Sequence, residues 1–159
     1  MSDWIDKLAE KDKEQAESRR TQEELRLHRA KIISAKALAW WSDVIEQLQA
    51  DCSKLRNMFP DNKGRQCNVI KNGLDWDIQG CKLPWIILSM RLNADGQSVD
   101  IVESIKDGRD KSVVPDSRDE IKIGIASDES LEFTHKGHTY HTPKSLAQAL
   151  IMYVCRNVE

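Results

Sequence analysis

The spacing of apolar residues changes period twice along the chain: helical over the first third, alternating through the middle, helical again at the end. From Asp3 to Met58 there is neither Pro nor Gly, and Glu, Lys, Arg, Gln, Ala and Leu, all good helix formers, dominate. This predicts a long N-terminal helix over 3–58, whose two halves differ. Between Ala9 and Glu24 no large apolar residue occurs, so 3–24 reads as a charged extension. From Leu25 the apolar residues return, and Trp41, Ile45, Leu48, Cys52, Leu55 and Phe59 recur at i, i+3, i+4 spacing. That is the stripe of a helix laid on a core.

Phe59-Pro60-Asp61-Asn62-Lys63-Gly64 supplies the residues that end a helix. Beyond it Leu74, Trp76 and Ile78 alternate with Asp75, Asp77 and Gln79, the signature of a half-buried strand. Trp85–Leu92 and Val99–Ile105 flank Asn93-Ala94-Asp95-Gly96 and read as a hairpin. Asp107–Asp119, with Gly108 and Pro115, reads as a loop, after which Ile121, Ile123 and Ile125 alternate. Leu131–His135 and His138–His141 make a second hairpin about Lys136-Gly137. Thr142 suits a helix N-cap and Pro143 the first turn of a closing helix, whose Leu146, Ala147, Leu150, Ile151, Val154 and Val158 share a face.

The expectation is therefore an α+β fold. A long N-terminal helix precedes a mostly antiparallel sheet of five or six strands over 65–141, and a C-terminal helix over 143–158 packs on that sheet. The 159 residues suffice for one domain, and 40% hydrophobic with 31% charged content fits a globular chain.

Charge narrows the classes. Against 26 acidic residues stand 24 basic ones, a net charge of −2, which offers no long-range field for phosphates or an anionic membrane. Through residue 58 eleven basic and eleven acidic side chains interleave, so Arg19, Arg20, Arg26, Arg29 and Lys31 read as a solvated, salt-bridged face rather than a phosphate track. Neither a nucleic-acid nor a membrane partner is expected. The opening Met1-Ser2-Asp3-Trp4-Ile5-Asp6-Lys7 has no apolar run of a secretion signal, and a cytoplasmic protein with reduced thiols is expected. The four cysteines, Cys52, Cys67, Cys81 and Cys155, form no CxxC pair.

Chemistry is sparse. His135, His138 and His141 fall three apart, but on a hairpin turning at Lys136-Gly137 His135 faces His138 while His141 points to the other side. At best two imidazoles meet at an exposed tip, so no metal site is expected. Asp75 and Asp77 share one strand face, as pairs of catalytic or cation-binding carboxylates do, but a wet sheet face gives the same pattern. Cys52 and Cys155 fall on apolar helix faces, where a thiol is an inert core group. No GxSxG, HExxH, GxGxxG or Walker A pattern occurs. No catalytic residue and no cofactor are assigned.

What remains is the N-terminal tip. Trp4, Ile5 and Leu8 form an apolar cluster seventeen positions ahead of the next large apolar residue, Leu25, so they are expected to dock on something other than the core. A long coiled-coil zipper is not supported, because the a and d positions are not apolar over three or four heptads. The leading expectation is a non-enzymatic protein–protein interaction or self-association module using Trp4, Ile5, Leu8, Leu25 and Trp40. Its rival is a small-ligand or enzymatic module with a pocket between sheet and helices, lined by Trp76, Trp85, Tyr140 and the nearby histidines.

Overall fold

The computed structural model describes residues 3–155. Helix α1 runs Asp3–Met58 and is followed by a 3-10 turn, Lys63–Arg65. Seven strands come next: β1 (Cys67–Asn72), β2 (Asp75–Gly80), β3 (Trp85–Leu92), β4 (Ser98–Lys106), β5 (Ser117–Ile125), β6 (Leu131–His135) and β7 (His138–Tyr140). Helix α2, Pro143–Val154, closes the described chain. By its contacts the chain divides into two units, residues 1–32 and 33–159.

The sheet is a meander in strand order β1-β2-β3-β4-β5-β6-β7, every neighbour antiparallel. The fold class is therefore α+β as the periodicity indicates, with seven strands where five or six were expected. The addition is β1, paired to β2 from Cys67↔Gly80 to Asn72↔Asp75 across the two-residue turn Gly73-Leu74, where Gly73 holds a φ of 64°. Strand β5 also begins at Ser117, inside the segment that reads as loop, because Asp119 and Glu120 pair with Ile101 and Asp100 of β4.

One sheet face is dry. Ile78, Ile86, Leu88, Met90, Val99, Ile101, Ile121, Ile123, Leu131 and Phe133 alternate inward from five strands. Against them lie Ile33, Ala37, Trp41, Val44, Ile45, Leu48 and Cys52 of α1, together with Leu146, Ala147, Leu150, Ile151 and Val154 of α2. Of the expected stripe, Trp41, Ile45, Leu48 and Cys52 are buried and Leu55 partly so, while Phe59 lies half-buried beyond the end of α1. Thr142 caps α2 as expected, its Oγ1 accepting from the Ser145 N–H at 3.2 Å, with Pro143 in the first turn. Val158, placed on the same face from sequence, lies outside the described residues.

Candidate functional site

The charged extension behaves as its composition requires. Every described residue from Asp3 to Arg29 is exposed. Trp4 is 68% exposed, Ile5 and Leu8 each 50%, and Leu25 48%. Glu23 and Arg26 pair along the helix at i, i+3, with Arg26 Nε donating to Glu23 Oε2 at 3.0 Å. This bond, more than the accompanying charge attraction, pulls the Glu23 carboxyl below its usual range. Four of the five candidate interaction residues therefore stand in solvent on a helix. The fifth, Trp40, is half-buried and its indole lies flat on Phe133 of β6, ring centroids 3.7 Å apart and planes 11° from parallel.

A polar cluster that the sequence did not reveal sits on the dry face of the sheet, beneath the last turn of α2. Tyr153 of α2 donates its hydroxyl to Glu103 Oε1 at 2.6 Å, and Ser117 Oγ donates to Glu103 Oε2 at 3.4 Å. Lys136 Nζ donates to the Tyr153 hydroxyl at 3.5 Å, lies 4.7 Å from that ring's centre, and stands 3.9 Å from Asp119 Oδ2. The same Asp119 oxygen is 3.0 Å from Nε2 of His135, which is only 8% exposed. Burial holds the His135 imidazole below its ordinary basicity, and the adjacent Asp119 carboxylate opposes that only in part. Burial, and then the bond to Glu103, raise the Tyr153 phenol. Each group is engaged by another of the set, the arrangement by which polar side chains are accommodated between a helix and a sheet.

The histidine pattern resolves as the hairpin geometry demands. His135 pairs with His138 and Phe133 with Tyr140, while His141 stands 3.7 Å from Glu132. Among the described residues no group of three or more His, Cys, Asp or Glu is arranged to hold a metal ion. Asp75 is taken by Arg91 Nε at 2.5 Å. Asp77 lies across from Ser89 with its Oδ1 buried and unpartnered.

An open groove of about 750 Å³ runs between α1 and the β3–β4 turn. Trp41 and Trp76 supply its aromatic wall and Glu46 and Arg91 its charges, while Trp85, Tyr140 and the histidines of the pocket expectation do not line it.

Two of the four cysteines depart from expectation, while Cys81 and Cys155 are free thiols. Cys52 of α1 and Cys67 of β1 form a disulfide, their Cα atoms 5.6 Å apart, where reduced thiols were expected. The cause is three-dimensional: the core stripe of α1 carries Cys52 inward at the point where the first inward residue of β1 arrives, and spacing along the chain contains no trace of that. Cys155, buried, donates its Sγ–H to the Gln66 carbonyl oxygen at 3.3 Å, and the Cys81 N–H reaches the same oxygen at 3.1 Å. Burial pushes the Cys155 thiol up to about 11 and raises that of Cys81 as well, the opposite of what a nucleophile needs.

No helix among the described residues is long and apolar enough to cross a membrane. Comparison of the chain with protein-family models, with curated proteins and with solved structures returned no match.

Proposed function

We propose that this protein is a non-enzymatic protein–protein interaction module that docks through the N-terminal part of α1. The observation that carries the reading is the exposure of Trp4, Ile5 and Leu8, between 50% and 68%, on the first turns of α1. Isolated exposed apolar residues are ordinary on protein surfaces, but three within five positions, one a tryptophan, followed by a stretch without large apolar residues, are the composition of an interface anchor. Trp40 belongs to the fold in this reading, since Phe133 already covers its ring.

The test is photocrosslinking in living cells from benzoylphenylalanine at position 5 of the full chain. Adducts should form and should vanish when Trp4 and Leu8 are both replaced by Ser. If position 5 yields no protein adduct under any condition, the reading falls.

A second reading, small-ligand binding, is favoured by the groove that places Trp41 and Trp76 beside Arg91 and Glu46. Saturable quenching of tryptophan fluorescence by a small-molecule panel, lost in Trp76→Leu, would support it.

A further inference from the structure

Residues 3–32 are neutral in total but not in distribution. From Asp3 to Glu17 there are six acidic side chains (Asp3, Asp6, Glu10, Asp12, Glu14, Glu17) and three basic ones, a formal charge of −3. From Ser18 to Ile32 there are five basic (Arg19, Arg20, Arg26, Arg29, Lys31) and two acidic, a formal charge of +3. The apolar residues are also placed at the two ends, with Trp4, Ile5 and Leu8 in the acidic half and Leu25 and Leu27 in the basic half.

Such a segment is complementary to itself when reversed. We propose that residues 3–32 pair antiparallel with the same segment of a second copy of this chain. This rests on the interaction reading above and supplies its partner. On the alternating three- and four-residue spacing of paired helices, Trp4, Leu8, Leu25 and Arg29 share one seam with Lys11, Gln15, Ser18 and Gln22 between them. Reversal sets Leu8 against the partner's Leu25, Lys11 against the partner's Gln22, Gln15 against the partner's Ser18, and the indole of Trp4 against the partner's Arg29. Asp12, beside the seam, meets the partner's Arg19. Twofold symmetry makes each contact twice. The acidic half of each helix then covers the basic half of the other.

Parallel pairing gives the opposite result. It lays −3 on −3 and +3 on +3, and brings Lys11 and Arg29, both seam positions, each against its own copy. Like charges at such positions disfavour that alignment, so charge selects the antiparallel one. The seam is apolar only at its ends, which makes the pairing modest in strength and sensitive to salt.

The deciding experiment is sedimentation equilibrium of the full chain from about 1 to 200 µM, at low and at half-molar salt. The expected result is a monomer–dimer equilibrium weakened by salt. Two variants at exposed helix positions fix the orientation. Inverting the acidic half (Glu10→Lys, Asp12→Lys, Glu14→Lys) should weaken association by on the order of a hundredfold. Adding Arg19→Glu, Arg20→Glu and Arg26→Glu to it should restore the dimer, because the two halves are again opposite. Benzoylphenylalanine at position 8 of the purified protein should crosslink to the peptide containing the partner's Leu25.

Wild-type association that both inversions leave unchanged, or a crosslink to the peptide containing position 8 itself, overturns the antiparallel arrangement. A chain that is monomeric throughout at low salt overturns self-pairing altogether. In that event cellular adducts from position 5 to a different protein leave the interaction reading standing, and their absence removes it too.

Discussion

Replacing Trp40 by Ala separates a residue of the fold from a residue of an interface. Phe133 is fully buried, and one of its faces is covered by the Trp40 ring at 3.7 Å. Removing the indole therefore uncovers Phe133 as well as forfeiting the stack. Complete removal of a buried Trp costs about 3–5 kcal/mol, and Trp40 is only half-buried, so the burial part comes to roughly half of that. With about 1 kcal/mol for the stack, the expected loss is about 2–3 kcal/mol. For a chain of this length that lowers Tm by about 5–10 °C. The assay is thermal unfolding by circular dichroism, with sedimentation at a temperature below both unfolding transitions. A lowered Tm with association unchanged is the expected pair of results. An unchanged Tm with association lost would refute the reasoning and make Trp40 a partner contact.

Three further outcomes follow from the packing. Replacing Cys52 and Cys67 together by Ser opens a loop of 15 residues and should cost about 3 kcal/mol, read as a lower urea midpoint that reductant reproduces in wild type. His135 titrates lower in the fold than its ordinary 6.5, so the unfolded chain binds the extra proton. Its neutral form therefore contributes stability that is complete above pH 6.5 and is lost as pH falls below that value. Denaturation midpoints taken at steps between pH 8 and 5 should show the decline, and His135→Gln should flatten that part of the curve. Gly80→Ala would place a methyl group inside van der Waals distance of the Val154 carbonyl oxygen, a backbone atom that cannot swing aside. It should destabilise the fold by about 1–3 kcal/mol in the same urea assay, whereas Gly124→Ala, with open space around its position, should carry no such clash.

Much of the fold was legible because periodicity reports burial directly. The stripe from Trp41 to Cys52, the alternation of Ile121, Ile123 and Ile125, the Lys136-Gly137 turn and the Thr142 cap all appear where local pattern puts them. Strand β1 was less visible because, of Cys67-Asn68-Val69-Ile70-Lys71-Asn72, only Cys67 is fully buried, so the segment does not alternate cleanly. Gly73, at a φ of 64°, marks the Gly73-Leu74 turn rather than the strand before it. The start of β5 was hidden for a similar reason: Ser117–Glu120 is polar and exposed, held by pairing with β4 rather than by burial. The cluster of Glu103, Asp119, His135, Lys136 and Tyr153 was illegible on different grounds. Its members come from β4, β5, the β6–β7 hairpin and α2, and each has an ordinary local reading as an exposed charge, a loop acid or a turn lysine. Only the registers Ile101↔Asp119 and Leu88↔Glu103 turn those two acids to the dry face.

Charge shows the same limit from the other side. The total of eleven basic and eleven acidic residues through position 58 argues against a phosphate track, because counterion release scales with basic contacts that acidic neighbours cancel. The same total conceals that residues 3–17 and 18–32 carry −3 and +3. A partner helix meets charges over a few turns at a time, within about one Debye length of 8–10 Å, so the halves matter to it where the sum does not. An exposed helix with mixed charge along its whole length would have little to select an orientation. Segregated halves with apolar residues at both ends do select one, and they do so most economically for a second copy, which brings the reversed pattern without any further requirement on sequence. The core-facing part of α1 follows different physics. There Ile33, Ala37, Trp41, Val44 and Leu48 are specified by burial against the sheet, and charge reversals on its exposed side should leave both stability and association nearly unchanged.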